Sequence, residues 1–374
     1  MRNNYKKLTE EILGLAGIKI NGSDPWDIQV HDEGFYRRAI TEGQLGVGES
    51  YMDGWWDAEK VDELIYRILK AKVDEKLKKN LSFLFRFLLA SLINMQSKGR
   101  AYIVGEKHYD LGNDLFVNML DQGMNYSCAY WENARDLDKA QRNKLELICR
   151  KLYMKPGMHV LDIGCGWSAF GKYAAENYDV QVTGITVSRE QVKLGKQLCE
   201  GLPVEIRLAD YRELNEKYDR IVSVGMFEHV GYKNYRTFFK TVNRCLKENG
   251  LFLLHTIGNV KSVKTTNQWT GRYIFPNGMT PSVAQIGKAA ENLFVIEDLH
   301  NIGADYDRTL MAWYNNFITN REKIKDNYSD RFFRMWKYFL LSCAGSFRAR
   351  RNQCWQIVMS KDGVEGGYRS VRDI

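Results

Sequence analysis

The stretch that most constrains this chain is Pro156 to Trp167, PGMHVLDIGCGW. An apolar run, His159 to Ile163, breaks into Gly164-Cys165-Gly166, and Ser168 to Tyr178 then reads as helix. The pattern is strand, glycine turn, helix. Glycines there let backbone approach a ligand closely, and the helix N–H groups can face its polar atoms. With no third glycine two residues on, a dinucleotide pyrophosphate is the poorer match, and a cofactor without phosphate stays open.

The rest of the C-terminal two-thirds repeats that unit. Helix is expected at Ser168 to Asn177, Arg189 to Glu200 and Tyr235 to Leu246, and strand at Val180 to Thr186, Val204 to Leu208, Asp219 to Val224 and Leu251 to Thr256. Such alternation predicts an α/β fold built on a doubly wound parallel sheet. An aromatic loop, Asn267 to Pro281, interrupts it, and two late strands, Leu293 to Leu299 and Trp355 to Met359, flank a helical insertion at about Leu310 to Arg348. This arrangement is similar to that of S-adenosylmethionine-dependent methyltransferases, class I in fold.

With 374 residues, 44% of them hydrophobic, the chain has room for a second domain. Residues 1 to 95 read as a small, mostly helical N-terminal domain that engages lipid or membrane, 96 to 103 as a linker, and 104 to 374 as the catalytic domain. A helix is expected from Leu8 to Ala16, a strand at Trp26 to Val30, and a glycine-punctuated connection through Gly43, Gly46 and Gly48. Trp55 and Trp56 either cap a small core or face a membrane interface. Val61, Leu64, Ile65, Ile68 and Leu69 recur at helical spacing before a run of lysines ending at Lys79. Leu81 to Met95, LSFLFRFLLASLINM, is too short to span a bilayer and fits either a buried helix or one lying in the membrane interface.

The net charge of +8 favours an anionic partner, and admits either nucleic acid or a membrane surface. Seven cysteines, without a C-x-x-C pair, argue against a disulfide framework and a structural zinc site, so the chain reads as cytosolic and reduced. The N-terminal sequence MRNNYKKLTEE lacks a signal-peptide core, and no apolar run approaches the roughly 20 residues that cross a bilayer.

In a doubly wound sheet the carboxyl ends of the strands face the ligand. The glycine turn is expected under the methionine part of an adenosylmethionine, and Asp210 near its adenine. The second strand ends in Thr186-Val187-Ser188 where many such enzymes place an acid, leaving Thr186 and Gln191 as polar substitutes; alternatively, Ser188 and Gln191 simply form a capping box. Glu228, just past the fourth strand, is placed for the reacting centre. His255 ends the fifth strand and reads either as a catalytic partner of Glu228 or as a satisfied core histidine.

HYDLGNDLF at His108 to Phe116, NYSCAYW at Asn125 to Trp131, LDIGCGW at Leu161 to Trp167, FEHVG at Phe227 to Gly231, LLHTIG at Leu253 to Gly258, GADYDRTL at Gly303 to Leu310 and CAGSFRAR at Cys343 to Arg350 together resemble cyclopropane-fatty-acyl-phospholipid synthases. The N-terminal region resembles the extra domain of the bacterial phospholipid-acting members, which mycolic-acid cyclopropane synthases generally lack. Ser168 departs from the family's GCGWG, and a local adjustment is expected there.

The resemblance implies methylene transfer from S-adenosylmethionine to the cis double bond of a phospholipid acyl chain, through a carbocation deprotonated by a bound bicarbonate. It assigns Cys128, Glu228, His255, Tyr306 and the backbone at Ile257 to the bicarbonate, and Tyr126, Ser127, Asp162, Gly164, Gly166, Thr186, Val187, Gln191, Asp210 and Tyr211 to the cofactor. It calls for no metal and no nucleic acid. It also implies a homodimer, cytoplasmic and held peripherally at an anionic membrane surface. Trp269, Tyr273 and Phe275 are candidates for an acyl tunnel or for plain packing, and Cys343 reads as structural. Two rivals remain: a methyltransferase that stops at a methyl branch or acts on another substrate, and a catalytically silent lipid-binding protein.

Overall fold

The computed structural model describes residues 2–79 and 112–374. The Leu81 to Met95 segment, the linker at 96 to 103 and the first residues of the HYDLG motif lie outside the described residues. The chain forms two compact units: Met1–Leu115 with Asn267–Pro276 and Trp313–Arg351, and Phe116–Thr266 with Asn277–Ala312 and Asn352–Ile374.

In the first unit, helices Arg2–Gly14, Gly34–Met52 and Val61–Lys70 are joined by the later helices Gln268–Tyr273 and Asp330–Arg348. The expected strand at Trp26 to Val30 shrinks to Gln29–Val30, paired antiparallel with Trp56–Asp57. The expected glycine-rich connection is instead a helix, broken at Gly43 (φ 57°, ψ −134°), a conformation costly for any residue with a Cβ. Trp56 is fully buried between Tyr51 and Tyr338, with ring centroids 4.9 and 6.2 Å away, so it belongs to the core. The N-terminal helices share that core with the two later segments because helix Asp330–Arg348 buries one face against helix Val61–Lys70. Gly345 makes the approach possible, since a Cβ there would sit 2.4 Å from the Asp62 carbonyl oxygen.

Trp269 packs into the core of the first unit. Its Nε1–H donates to Met52 Sδ at 3.3 Å, and a Cβ on Gly48 would collide with its ring. Phe275 lies against Phe339, and Tyr273 donates its hydroxyl proton to Glu49. Burial pushes the Cys343 thiol up to about 12, in keeping with a structural role.

The second unit is built on a seven-stranded sheet of β1 (His159–Ile163), β2 (Gln181–Thr186), β3 (Val204–Leu208), β4 (Tyr218–Val224), β5 (Leu246–Asn259), β6 (Val295–Asn301) and β7 (Asn352–Ser360), in the order β3-β2-β1-β4-β5-β7-β6. The first five strands are parallel, as their alternation with helices predicts. The late pair differs: β7 runs antiparallel to both β5 and β6. Its insertion between them needs no crossover helix, because antiparallel strands can neighbour directly. Two apolar layers flank the sheet. One is centred on Phe227, Phe238, Phe239 and Phe252, the other on Ile148, Val160, Phe170 and Val222. Strand order reverses between β1 and β4, which opens a crevice beyond their carboxyl ends.

Candidate active site

A cleft of about 480 Å³ lies at that reversal, a size suited to a small-molecule cofactor. Every residue assigned above to the cofactor lines it. The glycine turn leaves β1 through Gly164 at φ 84°, where a Cβ would come within 2.5 Å of Met226 on the turn after β4. Turn and neighbouring strand end therefore interlock. The N–H groups of Gly164 and Cys165 both donate to the Ile185 carbonyl, tying the turn to β2.

Ser168 begins helix Ala169–Tyr178 in the left-handed region, at φ 67° and ψ 32°, fully buried and making no capping hydrogen bond from its side chain. This is the physical content of its departure from glycine, since the conformation is nearly free for glycine and costs an L-residue about 1–2 kcal/mol. The hydroxyl also fills a tight space: a Cβ on Gly171 would lie 2.5 Å from Ser168 Oγ. Ser168→Gly relieves strain but gains unfolded-state entropy worth about 0.5–1 kcal/mol. Its melting temperature is therefore expected within a few degrees of the parent, while Ser168→Val, β-branched at positive φ, should fall by about 2 kcal/mol or more. Thermal unfolding of the two variants checks this.

At the end of β2 the capping box is only half formed. Ser188 Oγ accepts from the Gln191 N–H at 3.3 Å, but the Gln191 side chain does not return to the Ser188 backbone. Instead the Thr186 hydroxyl donates to Gln191 Oε1 at 2.7 Å, and the Ser188 N–H donates to Thr186 Oγ. Thr186 and Gln191 thus form one polar pair on the cleft wall. Asp210 sits in the same cleft with its carboxylate held by Arg212, whose hydrogen bonds keep it below the usual carboxylate range.

Lys144 is a site residue that motif reading missed. It is buried, lines the cleft, and donates to Asn125 Oδ1 at 2.7 Å and Ser127 Oγ at 3.1 Å. Burial pulls its pKa down to about 8, and burial raises neighbouring Asp162 to about 7. Asp162 Oδ1 is buried without a hydrogen-bond partner among the described residues. The available signal was helical phase: Lys144 and Lys151 flank Leu147 and Ile148 at i+3, i+4 and i+7, so both lysines lie on the apolar stripe of helix Leu137–Lys151.

Behind the cleft are the residues assigned to chemistry. Glu228 stands on a single helical turn, Phe227–His229, that follows β4. Its Oε1 accepts from the Ile257 N–H at 2.6 Å, while Oε2 is buried without a partner among the described residues. Burial raises this carboxyl to about 7, against the opposing pull of the Ile257 N–H. His255 is buried within β5, which runs on to Asn259 beyond the expected end at Thr256 because β7 pairs with it that far, and burial, with Lys144 and Lys151 nearby, holds it well below its ordinary pKa.

Cys128 and Tyr306 come together because the segment Asn125 to Trp131 is fastened to helix Asp305–Thr319: the Trp131 N–H donates to Asp305, and the Ala129 N–H and Trp131 Nε1–H donate to Thr309. Burial and adjoining Cys354 keep the Cys128 thiol protonated, and burial beside Cys128 and Cys354 does the same for the Tyr306 hydroxyl. Of these buried groups, Glu228 is the carboxyl that can hold or release a proton near neutrality. Among the described residues, no cluster of His, Cys, Asp or Glu could hold a metal.

Residues 96–357 match the family model described as mycolic acid cyclopropane synthetase. The chain is 55% identical over 370 residues to the cyclopropane-fatty-acyl-phospholipid synthase of Escherichia coli K12, covering 99% of this chain and 97% of that protein. It is 36% identical over 275 residues to a probable fatty acid methyltransferase of Pseudomonas putida, covering 70% of each. Among solved structures it is similar to the mycolic acid cyclopropane synthase CmaA1 complexed with SAH and CTAB, with a TM-score of 0.64 and 32% identity over 68% of this chain and 96% of that one.

Proposed function

The chain belongs to the mycolic acid cyclopropane synthetase family, and from that membership we propose that it transfers a methylene group from S-adenosylmethionine to the cis double bond of unsaturated phospholipid acyl chains, forming cyclopropane fatty acids. The observation that carries the phospholipid substrate is the match to a phospholipid-acting synthase along nearly the whole chain, N-terminal region included.

S-adenosylmethionine, when bound, supplies an electrophilic methyl group. The cleft fits it: Asp162 offers a buried unpartnered acceptor and Lys144 a buried donor for a zwitterionic methionine end, with Thr186, Gln191, Asp210 and Tyr211 available for the nucleoside. An unactivated alkene is a weak nucleophile, so the buried walls contribute mainly alignment and exclusion of water. Ring closure also requires loss of a proton to a base that does not itself trap the cation. A bicarbonate ion suits that need: Glu228 Oε2 is an unpartnered acceptor for its O–H, and the neutral His255 ring, Tyr306 hydroxyl and Cys128 thiol carry protons for its oxygens, the thiol on leaving the Ala129 and Ile302 carbonyls. Ile257 acts through Glu228, whose Oε1 already takes its N–H.

The basic surplus supports peripheral attachment to the cytoplasmic, anionic face of a membrane, and among the described residues no helix is long and apolar enough to cross one. A homodimer is part of the same family reading. Incubation with methyl-labelled S-adenosylmethionine and vesicles of unsaturated, partly anionic phospholipid tests the reading. Label in a cyclopropane ring is expected. Label in a methyl branch would favour an activity like that named for the Pseudomonas relative, and vesicle binding without turnover would overturn the enzymatic reading.

A further inference from the structure

Two features of the second unit lie outside the roles given so far: the fully buried Lys151, and Gln356 on the antiparallel strand β7. In the β5–β7 pairing His255 stands opposite Gln356, and Ile257 opposite Cys354. Residues two apart on a strand share a face, so β7 presents Cys354 and Gln356 to the two reaction-site positions of β5. Both ring nitrogens of His255 are engaged that way. Nδ1 lies 3.3 Å from Gln356 Nε2, and Nε2 lies 3.3 Å from Cys354 Sγ.

Lys151 decides which way these hydrogen bonds run. Its side-chain nitrogen lies 2.8 Å from Gln356 Oε1 and 2.9 Å from His300 Nδ1; burial lowers it to about 7, and in its charged form it has donors only. Facing a donor, the amide must offer its oxygen to Lys151 and turn its NH₂ toward His255. The NH₂ in turn requires a lone pair on Nδ1, which leaves the single ring proton on Nε2. The backbone of Lys151 is held as well, because the Tyr368 hydroxyl donates to its carbonyl.

We propose that Lys151 and Gln356 are positioning residues that hold His255 as the neutral Nε2–H tautomer, so that its proton points at Cys354 Sγ, in the cluster with Cys128 and Tyr306. The ring then acts only as a donor on that side, to Cys354 Sγ as it stands and to an anion or substrate that displaces the thiol. A lysine buried without a carboxylate in contact is expensive unless its hydrogen bonds do work elsewhere. Here the same two bonds set an amide and, through it, an imidazole. The inference rests on the proposal that His255 belongs to the reaction site.

The test uses the full chain with ¹⁵N-labelled histidine, whose six residues include His255. Long-range ¹H–¹⁵N spectra report the tautomer, and the signal lost in His255→Gln assigns it. The parent should show the proton on Nε2. Gln356→Glu, almost the same shape and a better partner for Lys151, presents only acceptors to the ring, so the proton should move to Nδ1 and kcat should fall about tenfold or more at unchanged KM for S-adenosylmethionine. Lys151→Met frees the amide to rotate, and a mixed tautomer with an intermediate kcat is expected. An Nδ1–H tautomer in the parent, or parental turnover and tautomer in Gln356→Glu, overturns the proposal. Failure of the parent to form a ring product would strike the functional reading instead and leave the tautomer measurement standing.

Discussion

Glu228→Gln is expected to lower turnover by about 10²-fold while the affinity for S-adenosylhomocysteine stays within about twofold of the parent. Glutamine keeps an oxygen for the Ile257 N–H, so the turn after β4 is preserved. What changes is the other end of the side chain. Where Glu228 Oε2 offers an unpartnered lone pair, glutamine places an NH₂, which repels any O–H that must point there and can neither take up nor release a proton. Because burial brings Glu228 to about 7, parental turnover should rise with pH through about 7, and the variant should lack that limb. Unchanged turnover would remove Glu228 from the site.

The same substitution carries a stability signature of opposite sense. Below about 4.5, its ordinary value, Glu228 is protonated in folded and unfolded chains alike. As pH rises from there to about 7, the unfolded chain ionises while the folded one keeps its proton, so the residue costs the folded state increasing free energy across that window. Glutamine has no such cost. The variant should match the parent in melting temperature near pH 4 and exceed it near pH 8. A variant that is less active yet more stable at alkaline pH is expected of a functional group held in an unfavourable place.

Gly164→Ala should abolish measurable cofactor binding and lower turnover by about 10²-fold or more. At φ 84° any Cβ costs about 1–2 kcal/mol, and this one would stand 2.4 Å from Met226 Cγ and 2.5 Å from Met226 Cβ. One of the two turns must move. Met226 precedes the Phe227–His229 turn directly, so the displacement reaches both the methionine side of the cleft and Glu228. A shift of about 1 Å in a reacting group is enough for a loss of that order. Gly166→Ala is the control: it bears the same kind of strain at φ 57°, but its Cβ meets no protein atom within 4 Å. Calorimetric titration with S-adenosylhomocysteine and thermal unfolding distinguish them. Comparable binding by Gly164→Ala and the parent would show that the interlock with Met226 yields without consequence.

The cofactor cleft was legible in the sequence because its parts are local. A strand that ends in a glycine turn, a hydroxyl at the end of the next strand and an acid after the third each belong to a short segment, and the sheet order that assembles them follows from alternation of strand and helix. Glycine spacing could even mark Ser168 as unusual, although only its backbone angle showed why. The aromatic loop stayed ambiguous for the converse reason. Trp269 and Phe275 have the composition of a ligand wall, but composition does not say which core a segment joins, and Gly48 and Phe339 decide that.

What the sequence determined by itself is therefore whatever depends on near neighbours: most of the elements, the parallel part of the sheet, the glycine turn, and the position of Glu228 just past β4. Only the tertiary structure decided what depends on desolvation and on partners far along the chain. Lys144 and Lys151 gain their side-chain partners because helix Leu137–Lys151 presses them into the interior, where an ammonium must find acceptors. Glu228 moves to about 7 because burial outweighs the hydrogen bonds from the Ile257 and Glu228 backbone and the Thr256 side chain. His255 acquires a direction because an antiparallel strand, about a hundred residues later, sets Gln356 opposite it. A side chain's identity is written locally, but its protonation and orientation are set by the groups folding brings around it.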